Sequence, residues 1–412
     1  MKITIHRGTD QIGGCVTEYE HKGFKVFVDY GKQLPGAKYS GPLEIDGLTR
    51  GDLSKSILLI THYHGDHIGF IPLIPDEVPI YIGKLGREIQ MTLSRHLSHC
   101  INEHKNIVSK LENAITFSTK ETIQHGDFII TPLTIDHSAF DAYAFKIEAD
   151  DISVFHTGDF RAHGFRSGNI QKMFENHVGK VDYVVCEGTN AARKDATPLS
   201  EPQLQKKFEQ LFRKNKGNVV YVSTTNIDRI FSLYRAALNV GRPFFVDRFQ
   251  KEIMDIVANG DHIWNKSKLY QYDKFEPWVL IYDSDGEILV TDNFKKILDL
   301  KGYILLARSN PRFDNLIKKI PGEKVRYLSM WEGYVKEGSD AFNETLAASL
   351  EDGYIPQHTS GHCDMESMRE LFTILQPKGI IPMHTDSPDK FSKLFCGIWP
   401  VKRLHDGQTI SL

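Results

Sequence analysis

Three histidines and an aspartate, His62, His64, Asp66 and His67, crowd into the stretch T-H-Y-H-G-D-H-I-G that runs from Thr61 to Gly69. Imidazole nitrogen and carboxylate oxygen are ligands for divalent cations such as zinc and manganese. His62 and His64, two apart, can point the same way, while Asp66 and His67 turn towards a neighbouring point. That is a geometry for two adjacent cations rather than one. Two ions about 3.5–4 Å apart can share a bridging hydroxide and grip both oxygens of a phosphoryl displacement. An ordinary polar loop has no physical reason to gather these residue types at this spacing. The stretch predicts a metal site.

Rigid elements must present such groups. Ile57-Leu58-Leu59-Ile60 is a short, continuous run of branched aliphatics, which predicts a buried strand leading into the cluster. The arrangement recurs downstream, where Phe128–Ile135 leads into Asp136-His137-Ser138 and the run from Ile152 leads into His156-Thr157-Gly158-Asp159-Phe160. His137 and Asp159 are therefore the next ligands expected, an imidazole for one ion and a carboxylate able to bridge both. A further apolar run, Val181–Cys186, presents Glu187-Gly188-Thr189-Asn190, and Gly379–Met383 delivers His384. His358 and His362 flank Thr359-Ser360-Gly361 before a helix expected over Asp364–Leu375. Such a loop, Ser360 included, suits a phosphate, because free backbone N–H groups and the helix dipole attract an anion. Asp29 closes a strand beside the turn at Gly31 and could either orient a metal ligand from behind or simply cap the turn, the first being slightly favoured. His125 and His156 read as packing or supporting residues, and His96, His99 and His104 as solvated or core-edge side chains on a helix expected from Lys84 to Leu111.

Length and composition bound the rest. The 412 residues suffice for two or three domains, and no apolar run approaches the ~20 residues needed to span a bilayer. The N-terminus lacks the features of a signal peptide. Five dispersed cysteines without a C-x-x-C pair argue for a reducing compartment, read as the cytoplasm. A net charge of −3 neither demands nor forbids a nucleic-acid partner. From Ala191 to about Tyr354, strands expected near 218–224, 243–247, 278–282, 302–308 and 324–330 alternate with helical pattern. This predicts βαβ units around a parallel sheet in a separate lobe. Ser223 and Asn226 follow the first of those strands at a helix start, where a phosphate can be met. The basic run from Lys206-Lys207 to Lys216 could touch a phosphate backbone, though such a run is more often the solvated face of a helix.

In order, T-H-Y-H-G-D-H at 61–67, D-H-S at 136–138, H-T-G-D-F at 156–160, E-G-T-N at 187–190, H-T-S-G-H at 358–362 and I-P-M-H at 381–384 resemble the motifs of the metallo-β-lactamase superfamily. The chain looks most like its β-CASP nuclease branch, and within it the ribonuclease J group. The resemblance implies an α/β fold: an αββα sandwich from residues 1–190, completed by 356–412, with a β-CASP lobe inserted at 191–355. It implies two divalent metal ions, Zn2+ or Mn2+. His62, His64 and His137 would hold one, Asp66, His67 and His384 the other, and Asp159 would bridge them. Asp66, Glu187 and His362 would be catalytic, with Glu187 supporting a histidine and His362 acting as general acid, while His358 would contact the scissile phosphate. The implied activity is that of a ribonuclease cleaving single-stranded RNA by metal-hydroxide attack, with no membrane partner and with a homodimer left open. A hydrolase of DNA ends or small phosphodiesters and a lactonase-like hydrolase are the alternatives on the same fold. Phe245–Arg248 and Ala307–Asn310 depart from the group's nucleotide-recognising loops.

Overall fold

Successive side chains of a strand point to opposite faces, and strands such as Ser56–Leu59 and Gly379–Met383 are buried along their whole length because both faces of their sheets are covered. The computed structural model describes every residue except Lys38 and those numbered 194–197, 265–267 and 273–274. The chain divides into two compact units, Met1–Pro198 together with Gly361–Leu412, and Leu199–Ser360. In the first unit, one sheet is built from β1 (Lys2–Arg7), β2 (Val16–His21), β3 (Phe24–Val28), β4 (Ser56–Leu59), β5 (Ile80–Gly83) and β6 (Ile115–Phe117), side by side in chain order. A second sheet contains β7 (Ile123–His125), β8 (Phe128–Ile135), β9 (Ala142–Ala149), β10 (Ile152–His156) and β11 (Tyr183–Glu187), again in order.

The second unit supplies β12 (Gly217–Tyr221), β13 (Phe244–Val246), β14 (Trp278–Val279), β15 (Tyr303–Ala307), β16 (Lys324–Leu328) and β17 (Ile355–Pro356). Their spatial order is β14-β13-β15-β12-β16-β17. The chain then returns to the first unit, where β18 (Gly379–Met383) pairs parallel to β11 and β19 (Gln408–Ser411) pairs antiparallel to β1.

Ile3, Val26, Val28, Ile57 and Leu59 of the first sheet meet Ile130, Phe145, Val154, Val185 and Ile381 of the second in a shared core. The alternate residues point the other way. Phe27 and Leu58 pack beneath Met91, Ile107 and Leu111 of the helices Lys84–Leu97 and Glu103–Glu112. Phe155, Val184 and Ile380 pack beneath Leu371, Phe372 and Phe391 of the helices Met365–Leu375 and Pro388–Phe395. The result is helix, sheet, sheet, helix in four layers, the mixed α/β architecture expected. The single helix expected from Lys84 to Leu111 is two helices, broken where Ser98, His99, Cys100 and Asn102 lower helix propensity together.

In the second unit all five neighbouring strand pairs are parallel, so the carboxyl ends of β12 to β17 lie along one edge. The strand expected over 278–282 closes after Val279, because Ile281 accepts from Leu289 N–H across the turn at Asp283–Gly286 instead of continuing the ladder. A buried ion pair ties the unit together. Arg229 donates twice to Glu201, at 2.8 and 3.0 Å, and to Ser329 Oγ at 2.6 Å, which in turn donates to the Gln357 carbonyl. Among the described residues no helix is long and apolar enough to cross a membrane.

Candidate metal centre

The parallel strands β10, β11 and β18 and the last turn of β8 all deliver polar residues at their carboxyl ends, and β4 does the same from the facing sheet. Beyond β4 the chain turns into one short helix, Gly65–Ile68. Gly31 makes that turn possible: a Cβ there would stand 1.7 Å from the Asp66 carbonyl oxygen, and only glycine permits so close a backbone approach.

Two groups of donors converge here. His62 Nε2 and His137 Nε2 lie 3.1 and 3.3 Å from His64 Nδ1. His137 Nδ1 donates to the Gly361 carbonyl at 2.7 Å, which fixes the tautomer and turns the Nε2 lone pair inwards. Asp66, His67, Asp159 and His384 form the second group. Asp159 Oδ2 is its centre, 3.2 Å from His67 Nε2, 3.5 Å from His384 Nε2 and 3.6 Å from His362 Nδ1. His384 Nε2 is also 3.2 Å from Asp66 Oδ2.

Supporting contacts hold these rings. Asp29 Oδ2 lies 2.7 Å from His67 Nδ1, and the Asp29 carboxylate is anchored by the N–H and hydroxyl of Thr61, each donating at 2.8 Å. Glu187 Oε2 meets His362 Nδ1 at 3.0 Å, while its Oε1 accepts from the backbone N–H of Phe160 and Cys363. His156 is buried against the Tyr19 hydroxyl at 2.9 Å, and His125 bonds the Lys55 carbonyl. The Cys363 thiol donates to the Asp364 carbonyl.

Electrostatics divide the centre. Burial, followed by the neighbouring imidazoles, holds His62 and His137 well below the usual histidine value, and burial takes His64 down to about 4. These three are neutral at pH 7, with lone pairs available. Burial opposes charge on His67 and His362 as well, but carboxylates outweigh it: Asp159, Asp29 and Asp66 raise His67, and Glu187 with Asp159 raises His362 to about 9. Asp159 is pulled down by His384, His67 and His362 despite its burial. Its Oδ1 is buried with no hydrogen-bond partner among the described residues. An anionic oxygen so placed is costly unless a cation meets it. Neutral imidazoles beside a carboxylate-rich pocket are a donor set that fits divalent cations with nitrogen and oxygen ligands.

The remaining candidates lie in the second unit. Asn226 spends its side-chain oxygen capping the helix Ile227–Asn239, accepting from Arg229 N–H at 3.3 Å. Ser223 is exposed at the end of β12, with its hydroxyl 3.3 Å from that of Thr225. His358 and Ser360 are half-buried in the loop after β17. In the first unit Thr189, read in the sequence as part of E-G-T-N without a role of its own, supports a candidate ligand. Thr189 Oγ1 lies 2.9 Å from His384 Nδ1 and donates to the His384 carbonyl at 3.2 Å. The signal was present, since Thr189 stands two past Glu187, just beyond the end of β11, which pairs with the strand that delivers His384.

No family model matches the chain. It is 24% identical to ribonuclease J of Helicobacter pylori strain 26695, over the whole of this chain and 61% of that protein. It is 26% identical to ribonuclease J of Mycolicibacterium smegmatis, over 93% of this chain and 68% of that protein. The chain thus spans about 60% of the length of the Helicobacter relatives. A crystal structure of a protein of unknown function from Enterococcus faecalis V583 shares the metallo-β-lactamase-like α/β fold, with a TM-score of 0.77 at 18% identity, covering 100% of this chain and 99% of that one.

Proposed function

We propose, on the premise that the chain belongs with the ribonuclease J group of the metallo-β-lactamase/β-CASP family, as relatives named ribonuclease J in several bacteria support, that it is a metal-dependent ribonuclease acting on single-stranded RNA. In this reading residues 1–190 and 356–412 are the metallo-β-lactamase domain and 191–355 the β-CASP lobe. The observation that carries it is Asp159, whose single Oδ2 reaches His67, His384 and His362 while Oδ1 is buried without a hydrogen-bond partner among the described residues. A carboxylate so surrounded suits a bridge between two ions.

His62, His64 and His137 would hold one cation, and Asp66, His67 and His384 the other. Bound there, two Zn2+ or Mn2+ ions would bring the pKa of water from about 15.7 towards ~7 and neutralise charge on a phosphoryl group. Asp29, Thr189 and the Gly361 carbonyl orient the rings. Glu187 keeps a proton on His362, which hands it to the departing ribose oxygen, a contribution of roughly 10²–10⁴-fold. Asp66 contributes the second carboxylate of the reacting centre. His358, Ser360, Ser223 and Asn226 would meet phosphates of the strand.

The test is incubation with 5′-phosphorylated and 5′-hydroxyl RNA and DNA oligonucleotides in Mn2+, Zn2+ or chelator. The expected result is a ladder of RNA products that chelator abolishes. Intact RNA in every metal, or cleavage of DNA alone, would overturn the ribonuclease reading.

A further inference from the structure

The second unit carries a row of cations that the metal centre does not use. At the amino ends of its parallel strands, Lys214 and Lys216 lead into β12, Arg242 into β13, Lys301 into β15, and Lys319 and Lys324 into β16. These four strands are neighbours in the order β13-β15-β12-β16. At about 4.8 Å between strands, the row extends over roughly 15 Å. Contacts across the strands tie it together. Arg242 donates to the Asn215 carbonyl and, at 3.4 Å, to that of Lys216. Gly302 lets the row close up, since a Cβ there would stand 2.8 Å from the Lys216 carbonyl oxygen and 3.3 Å from the Arg242 guanidinium carbon.

What sets these cations apart is their place side by side along one edge. Some basic side chains of the unit find carboxylates, Arg229 with Glu201, Lys251 with Asp255, Arg308 with Asp247 and Arg326 with Asp352, while others, such as Lys206 and Lys318, stand singly on helix faces. Among the described residues none of the six makes an ion pair. The contacts of Lys216, Arg242 and Lys324 are to backbone carbonyls. Burial and then Arg326 hold the Lys324 ammonium below its ordinary value. Helix ends explain part of the pattern, because Lys214, Lys301 and Lys319 close the helices Glu201–Lys214, Asp292–Lys301 and Pro311–Lys319. Each helix C-terminus supplies only about half a negative charge, and with the exposed carboxylates of Asp299 and Glu323 counted beside it the row still keeps a positive excess.

We propose that this amino edge is a docking surface for the phosphate backbone of a nucleic-acid strand, separate from the carboxyl edge that bears Ser223, Asn226 and His358. The choice of partner rests on the ribonuclease reading; the existence of the surface does not. A row of unpaired lysines exchanges condensed counterions for phosphates without reading bases. An anionic membrane is less suited to it, since adsorption needs apolar side chains to bury and Leu300 is the large apolar residue exposed beside these cations.

The experiment uses the full chain in chelator, so that binding is read without turnover. Fluorescence anisotropy follows a 30-nucleotide and a 6-nucleotide single-stranded RNA across a salt series. Lys214→Gln, Lys301→Gln and Lys319→Gln combined should weaken the 30-mer at least tenfold and lower the slope of log affinity against log salt by about 2, near 0.7 for each phosphate no longer neutralised. The three Lys→Arg changes should restore both, and metal-loaded cleavage of the 6-mer should be unchanged. An unaltered affinity and slope for the 30-mer overturns the proposal, as does wild-type binding to phosphatidylserine vesicles through these lysines in place of RNA. A chain that binds through this edge but never cleaves sinks the ribonuclease reading alone; one that cleaves with unaltered binding sinks this inference alone.

Discussion

At the scale of single residues, the centre is held by protons as much as by ligands. His384 has a left-handed backbone with φ of 50°, a conformation that a non-glycine residue keeps only where its surroundings impose it. Thr189 supplies that restraint at both ends, accepting from the ring and donating to the carbonyl. Thr189→Val removes the hydroxyl at nearly constant shape. It should weaken metal binding at the proposed site of Asp66, His67 and His384 by about 10–100-fold, the usual cost of losing such a support, while Thr189→Ser restores it; chelator competition measures both. His64→Ala should lose metal, whereas His362→Ala should keep its metal and lose turnover by roughly 10²–10⁴-fold. Equal loss of metal in both would dissolve that division of labour.

At the scale of elements, the ion pair between Arg229 and Glu201 joins two helices to the ends of β16 and β17. Both side chains are fully buried. Glu201→Ala leaves a guanidinium without its counter-charge and should cost about 3–5 kcal/mol in urea unfolding, while replacing both partners together with Met and Leu should recover most of it. A loss below about 1 kcal/mol for the single change would mean that Ser329 and the Gln357 carbonyl already suffice. Element boundaries follow the same logic of local satisfaction. The helix expected from Lys84 divides where poor helix formers cluster, and the strand expected from Trp278 stops where a turn captures its backbone.

Across the whole molecule, two units with their own cores should unfold in two calorimetric transitions, since cooperativity of this kind is lost between domains. Zn2+ at about a hundred times its dissociation constant should stabilise the unit containing Met1–Pro198 by about 2.7 kcal/mol for each ion bound and leave the transition of Leu199–Ser360 in place. One transition that moves as a whole would show the units to be energetically inseparable.

Some of this was legible in the order of residues alone. Period-two runs such as Phe128–Ile135 follow from the pleat, and a polar cluster just past an apolar run must emerge at a strand end, so the α/β class and the identity of the candidate donors could be read locally. Which atoms meet is a different question, because it depends on register between strands far apart in the chain. Only the pairing of β11 with β18 sets Thr189 against His384, and only the return of the chain at Gly361 gives His137 a carbonyl. Asn226, a phosphate candidate by position, spends its oxygen on a helix cap, and the lysines of a seemingly ordinary helix face became part of a row once β13, β15 and β16 were laid beside β12. Covalent order dictates what each segment can offer, and long-range packing decides what it faces.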